Sequence, residues 1–462
     1  MAVTEREMTA WCETLLSGSE ANPDLTLADY IRAVPGMASL AELPSGTTVL
    51  VRGDVDSKPG AQIGDGDIRL RSMVDTLQFG RDHGWKQIIF GHIGRKPEGS
   101  LDKVAKRLGE ILKCEVTLIP DWLDESSLTI LPSVAQQIAA AKPGDILMLE
   151  NTRKYQIEQA LWKAKAVDVP QLAPKLAKLA NEFAEKLGKV FVFEAFSAGS
   201  LDACSVVVPA AMSQVALGEY VSAEFSRPLM RCLDAQLVVF SGLKADKLDD
   251  MEAMINRGKI TRVIAAGALS GALRKAAAQL DGKECCLGIA EDPTKKDLPI
   301  FVPEFRLEQA RRMIAEGRKK GIKFFLPVDF VIQDGSVVDQ LKPTDEQFDV
   351  GPKTSEIFEE AVGEFLELSG AVAFYNGVFG MFEDPRFEGG TRRFIPQLKR
   401  MTDSGVEVYV GGGEGGAALE KYGEENWATH VFTAGGTVLN ALGSEPVPYM
   451  VALRMAAEKA KK

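Results

Sequence analysis

The chain is short of several things that would point to a metal cluster, a membrane or nucleic acid. Six of its 462 residues are cysteine (Cys12, Cys114, Cys204, Cys232, Cys285 and Cys286), and they show no metal-ligand spacing. Cys285 and Cys286 are adjacent, which disulfide geometry bridges poorly, so reduced thiols are expected. Positive charge is also in deficit: 54 Lys and Arg face 65 Asp and Glu, for a formal net charge of −11 and a pI near 5.1. Non-specific nucleic-acid binding needs a basic surface that displaces counterions, so that class is excluded, and an anionic ligand would need a local basic pocket. No apolar run reaches the roughly 18 to 20 residues of a membrane span. Residues 1–22 carry acids without a signal-like apolar core. The expectation is a soluble, cytoplasmic protein with neither membrane nor nucleic acid as partner. Short-period repeats and low-complexity segments are absent as well.

What is present is a double series of short apolar, β-rich runs. The first covers 47–51, 87–90, 115–119, 146–149 and 189–193; the second covers 237–240, 262–265, 323–326, 372–374, 406–410 and 430–432. Amphipathic segments such as 101–112 and 171–187 lie between them. Strands alternating with helices, twice over, predict an α/β protein of two doubly wound domains with mainly parallel sheets, and the length suits two domains of about 200 residues. The predicted division is an N-terminal helical extension over 1–36, a first domain over 37–215, a connecting hinge helix over 216–235 broken near Pro228, a second domain over 236–440, and a C-terminal segment over 441–462 that packs back on the first domain.

In such sheets ligands lie beyond the carboxyl ends of the strands. Those ends carry the unusual residues here. The first series is followed by Arg52 and Asp54, by Gly91-His92-Ile93-Gly94-Arg95, by Glu150-Asn151-Thr152-Arg153 and by Glu194-Ala195-Phe196. After the second come Ser241-Gly242-Leu243-Lys244, Ala266-Gly267, Asp329, Asn376-Gly377, Gly411-Gly412-Gly413 and Ala434-Gly435-Gly436. Arg and His dominate one set and Gly the other. Glycine at a strand end lets backbone N–H groups approach a phosphate, and a helix beginning there adds its positive dipole end. An anion pocket in one domain and a nucleotide-phosphate loop in the other follow.

Eight stretches, in order, resemble the phosphoglycerate kinase family. Val51-Arg52-Gly53-Asp54-Val55-Asp56 is similar to V-R-x-D-x-N, Gly91 to Arg95 to S-H-L-G-R, and Leu149 to Arg153 to L-E-N-L-R. The stretch 241–247 is similar to G-G-A-K-V-S-D-K with one residue missing, and 349–354 to D-I-G-P-K-T. The remaining three are 375–383 with W-N-G-P-M-G-V-F-E, 411–418 with G-G-G-D-S-A-A-A, and 433–436 with T-G-G-G. The resemblance implies reversible phosphoryl transfer between MgATP and the carboxylate of 3-phosphoglycerate, by a monomer that closes two domains about a hinge.

Carried over position by position, the resemblance implies that Arg52, Asp54, Asp56, Arg69, His92, Arg95 and Arg153 hold the acyl substrate, with Arg69 nearest the reacting carboxylate. It assigns the nucleotide to Gly242, Lys244, Lys247, Gly267, Asn376, Gly380, Glu383, Gly412, Gly413, Glu414 and Gly415. Lys244 would reach the transferring phosphoryl group, Gly413 and Gly436 would donate N–H groups to its charge, and Glu414 would work with the Mg²⁺ of ATP or ADP. Arginine suits such work because its planar fork binds phosphate or carboxylate bidentately and stays charged.

The chain also departs from the family. Its stretch 194–205 stands where the family has D-A-F-G-T-A-H-R-A-H-A-S, so Leu201 replaces an arginine that binds the substrate's phosphate. Loss of such a contact costs on the order of 2 to 3 kcal/mol, or ~30- to 100-fold in affinity. Asp56 replaces an asparagine and Glu414 an aspartate. Three readings follow: the ordinary reaction, the same chemistry on another acid with a smaller or less charged tail, or a non-catalytic nucleotide-binding relative.

Overall fold

The computed structural model describes residues 2–22, 24–242, 247–443 and 447–461. The chain divides into two compact units, Met1–Ser226 with Glu445–Lys462, and Arg227–Ser444. Each is built on a six-stranded parallel sheet with helices packed against it. In the first unit the strands run in the order Val116–Ile119, Ile146–Leu149, Lys86–Phe90, Thr48–Gly53, Val190–Glu194, Gln214–Leu217. In the second the order is Lys323–Phe325, Arg262–Ala265, Leu237–Phe240, Val372–Asn376, Glu407–Gly411, His430–Val431. Strands covered on both faces must be apolar throughout. Accordingly Val190–Glu194, Ile146–Leu149, Leu237–Phe240 and Arg262–Ala265 are buried at every position. One core gathers Val49, Val51, Ile89, Leu108 and Met148, and the other Val239, Phe358, Phe394, Val408 and Val410.

The structure differs from the sequence-based expectation in the connecting stretch and in strands outside the two parallel sheets. The stretch expected as one helix from 216 begins instead as the edge strand Gln214–Leu217, parallel to Val190–Glu194. Val215, Ala216 and Leu217 form a short apolar run that periodicity alone cannot assign to helix or strand. Gly218 then turns the chain where an added Cβ would lie 2.2 Å from Glu194, and the helices Glu219–Ser226 and Pro228–Cys232 follow. Pro228 starts the second helix, where its missing N–H costs nothing. The second unit also carries an antiparallel sheet of Phe330–Ile332, Val337–Val338 and Gln347–Val350, outside the expected strand series.

The N-terminal residues are part of the first unit's packing. Thr4 and Glu7 form a reciprocal capping box at the start of helix Glu5–Ser17, which buries Met8, Trp11, Cys12 and Leu15. Trp11 donates its indole N–H to the carbonyl of Val206 at 2.8 Å, and Val3 exchanges two hydrogen bonds with Asn181. At the other end of the chain, helix Pro448–Ala460 stacks Tyr449 on Phe193 at 4.1 Å between ring centroids. No described helix is long and apolar enough to cross a membrane, and none of the six cysteines is in a disulfide.

Glu194 ties the end of its strand to the helix that follows. It is fully buried and accepts hydrogen bonds from the Thr76 hydroxyl at 2.7 Å and from the amides of Tyr220 and Val221. Burial nevertheless pushes its carboxyl up to about 7. Because the folded state then binds a proton that the unfolded chain releases near 4.5, this group's contribution is complete below that pH and is lost as pH rises through about 7. Urea melts across pH 4.5 to 8 should show wild-type stability falling relative to Glu194→Gln, by at most about 1.4 kcal/mol per pH unit, and levelling off above pH 7. Trp11→Ala should lose about 3 kcal/mol in the same melts at neutral pH, through a large-to-small cavity and a lost hydrogen bond.

Candidate active site

The first unit's polar cluster forms because four neighbouring parallel strands, Ile146–Leu149, Lys86–Phe90, Thr48–Gly53 and Val190–Glu194, end on one edge. Arg52 is the penultimate residue of its strand, in register with Phe90 on one side and Phe193 on the other. His92 follows the next strand. Arg153 lies in the short 3₁₀ turn Thr152–Lys154, which the Asn151 side chain caps through the Arg153 amide at 3.1 Å.

These three bases converge on one buried carboxylate, that of Asp202. Arg153 reaches both of its oxygens at 3.0 to 3.1 Å, and His92 Nδ1 lies 3.1 Å from Oδ2. Arg52 lies at 3.8 Å, and the indole of Trp162 donates to Oδ1 at 2.9 Å. Arg52 also donates to Ser205 Oγ at 2.7 Å and lies 2.9 Å from His92 Nδ1. A proton on that nitrogen donates to Asp202, whereas its lone pair accepts from Arg52. Burial, together with the charges of Arg52 and Arg153, lowers the imidazole below its usual range despite the Asp202 bond. Burial opposes ionisation of Asp202 too, but His92, Arg153 and Arg52 outweigh it and hold the carboxyl well below the ordinary range. Glu158, also fully buried, is pushed up to about 7 by burial and by the charge of Asp202.

A shallower group surrounds Arg69, which belongs to the short helix Ile68–Ser72. The buried Asp67 just before that helix pairs with Arg107 at 2.8 Å and Arg71 at 3.0 Å, and so fixes where it starts. Arg69 is 28% exposed and pairs with Asp56 at 3.2 Å and more distantly with Asp54 at 3.9 Å. Asp56 also accepts from the Gly94 amide at 2.9 Å. Asp54 is buried and takes the amide and hydroxyl of Ser197. Arg95 is not gathered in: it is exposed, and its carbonyl, rather than its guanidinium, is bonded, to Gln159.

In the second unit the glycine loops meet around Asn376. That residue ends its strand in register with Phe240 and Gly411 on the two neighbours. Its amide donates to the Gly411 carbonyl at 3.2 Å, and its oxygen accepts from Lys247, which also donates to the carbonyl of Ser241 at 2.7 Å. Helices Gly412–Tyr422 and Gly435–Leu442 start side by side: a Cβ added to Gly435 would lie 2.6 Å from the Gly412 Cα. Gly377, with φ of +102°, brings its Cα over the carbonyl of Ser241, where an added Cβ would lie 2.3 Å away. Gly242 and Gly267 also lie at this junction, since a Cβ added to Gly267 would lie 2.9 Å from the Gly242 carbonyl oxygen. Gly413 and Gly436, in the first turns of the two helices, are exposed and face open space.

Gly380, Glu383, Glu414 and Gly415, also expected at the nucleotide site, are not among these contacts. Gly380 is packed against Asp349 and the Phe387 carbonyl, and Gly415 against Val410 and Tyr375, so both satisfy chain packing. Glu383 is exposed. Lys244 lies outside the described residues. Glu414 is exposed in the first turn of its helix, and its charge adds to burial in raising the phenol of Tyr375. Among the described residues no group of three or more His, Cys, Asp or Glu could hold a metal ion. A single carboxylate such as Glu414 in the first turn of a helix still fits Mg²⁺, which keeps several waters and takes only one or two carboxylates from the protein.

Sequence reasoning overlooked Asp202, Ser197, Trp162 and Glu158. The available signal was Asp202 itself, an acid within the stretch that Leu201 already marks as unusual.

A family model described as phosphoglycerate kinase matches residues 41–445. The phosphoglycerate kinase of Chloroherpeton thalassium is 29% identical over 434 residues, covering 88% of this chain and 96% of that protein. The cytosolic enzyme of Triticum aestivum is 28% identical over 424 residues, covering 88% and 95%. The crystal structure of phosphoglycerate kinase from Pyrococcus horikoshii OT3 is similar in fold, with a TM-score of 0.68 at 23% identity, covering 92% of this chain and all of that one. The Coxiella burnetii enzyme is similar with a TM-score of 0.67, also at 23% identity. With the matched model spanning most of its length, the chain belongs to the phosphoglycerate kinase family.

Proposed function

We propose that this protein transfers the γ-phosphoryl group of MgATP, reversibly, to the carboxylate of 3-phosphoglycerate, with residues 37–215 holding the acid and 236–440 the nucleotide. The observation that carries this reading is the pair of abutting helix starts at Gly412 and Gly435, with exposed Gly413 and Gly436 in their first turns. Two helix N-termini side by side direct first-turn N–H groups and two positive dipole ends at one place, as a transferring phosphoryl group requires. A cytoplasmic monomer, in a compartment that keeps the six cysteines reduced, suits this reading.

Phosphoryl transfer asks the protein for alignment and charge neutralisation rather than covalent work. The acid is already ionised at neutral pH, so no general base is needed. A carboxylate oxygen held by Arg69 attacks the γ-phosphorus, and the bond to the β–γ bridging oxygen breaks. ADP departs carrying that electron pair, leaving an acyl phosphate. Gly413, Gly436 and Lys247 stand on the nucleotide side, where N–H groups and one cation offset the phosphate charge, and Asn376 holds Lys247 in place. Bound Mg²⁺, with Glu414 and the nucleotide phosphates as its holders, would add Lewis-acid neutralisation of those oxygens.

An acyl-phosphate assay with MgATP, 3-phosphoglycerate and hydroxylamine trapping checks this. Wild-type protein should turn over, and Arg69→Ala should lose about 10²-fold or more in kcat/KM, the scale of one preorganised donor; equal activity in the two would overturn Arg69's role. Gly413→Ala separates phosphate binding from turn geometry. Its Cβ meets nothing within 4 Å, and alanine is about 0.5 to 1 kcal/mol better than glycine in a helix. Denaturation should therefore show equal or greater stability, while calorimetry should show MgADP bound about tenfold more weakly as the methyl meets the phosphate. Unchanged affinity would return Gly413 to a packing role.

A further inference from the structure

The pocket assigned to the acyl substrate already contains an anion, and it belongs to the chain. Asp202 is fully buried, and donors surround both its oxygens: Arg153 and Trp162 at Oδ1, and Arg153, Ser200 at 3.0 Å and His92 at Oδ2. Two guanidiniums, an imidazole, an indole and a hydroxyl aimed at one point form the arrangement that recognises a phosphate or carboxylate. A ligand anion can use these groups only by displacing the side chain that holds them. The neighbouring charges match in the same way. Arg52 and Arg153 face Asp202, and Arg69 faces Asp56 and Asp54, so three arginines meet three aspartates. Leu201, immediately before Asp202, adds no cation.

We propose that Asp202 is an internal competitor for the pocket's cations, setting how strongly the site holds the phosphate of a phosphorylated acid and so how far it prefers such an acid to its unphosphorylated counterpart. The proposal rests on the reading that this cluster receives the acyl substrate. It requires no catalytic step from Asp202; the carboxylate acts on specificity by holding Arg52, His92 and Arg153.

The test is equilibrium binding to the full-length protein without nucleotide, so that it stands apart from turnover. Asp202→Asn keeps the shape of the side chain and removes its charge. Calorimetry should show the variant binding 3-phosphoglycerate about tenfold or more tightly than wild type, the scale of one charge-assisted contact, with glycerate affinity and MgADP affinity unchanged. Equal or weaker 3-phosphoglycerate binding by folded variant overturns the proposal, as does an equal gain for glycerate. Should the variant be too unstable for calorimetry, thermal melts decide: a Tm that rises with millimolar inorganic phosphate more steeply in the variant than in wild type supports the competitor role, and equal slopes overturn it. Tighter phosphate binding by the variant, with no acyl phosphate formed by either protein, would uphold Asp202's role while removing the proposed reaction.

Discussion

The constraint on which both sites depend is the common direction of the strands. In a parallel sheet every carboxyl end falls on one edge, so residues far apart in sequence are delivered to one place by backbone hydrogen bonding alone. Arg52 lies near the end of one strand, and His92, Arg153 and Asp202 follow three neighbouring strands of the same sheet. Asn376 lies between Phe240 and Gly411 because the register of three strands places it there. Side chains contribute the chemistry, but the meeting point is set by the ladder. Buried acids then secure what the ladder delivers. Glu194 fastens the helix Glu219–Ser226 to its strand, and Asp329 accepts from the Lys353 and Thr354 amides to fix the start of Pro352–Glu367.

On the proposed reading, the two units bind anions by different means. The second uses backbone N–H groups at helix starts, which carry only partial charge and remain stable when the site is empty. Glycine is needed there because the two starts approach closely enough for a side chain at Gly435 to strike Gly412. The first unit uses whole charges, and buried guanidiniums without counter-ions would be costly. Its solution is a set of aspartates within the site.

Much of this was legible in the sequence, for reasons that can be named. Buried parallel strands are continuous apolar runs, and Leu237–Phe240, Arg262–Ala265 and Ile146–Leu149 stand at the positions their composition predicts. The glycine and arginine motifs were visible because those residue types have few bland uses at strand ends. Gln214–Leu217 was lost because four residues do not distinguish a period of 2 from one of 3.6. The hairpin of Phe330–Ile332 and Val337–Val338 carried a usable signal in Asp334-Gly335, whose glycine has φ of +84°, but its flanking strands, of three and two residues, are too short to draw attention. Asp202 was lost for another reason. An aspartate on a loop looks solvated until its partners are known, and the nearest arginine among them is 49 residues away.

The counter-ion in the first unit also explains why losing one pocket cation and gaining one acid belong together. An anion site built from buried bases is repulsive when empty, and its stability then depends on the ligand that fills it. Supplying a carboxylate from the chain removes that dependence, since Asp202 pairs with Arg52 and Arg153 without a bound acid. The same carboxylate must be displaced or shared when a ligand arrives, so stability gained in the empty state opposes affinity in the filled one. Leu201 and Asp202 therefore act in one direction, lowering the positive charge that the pocket can offer. Asp56 at its mouth does so again through Arg69. On the proposed reading the nucleotide is held mainly by backbone at the helix starts of Gly412 and Gly435, so the two halves of the reaction can diverge independently within one fold.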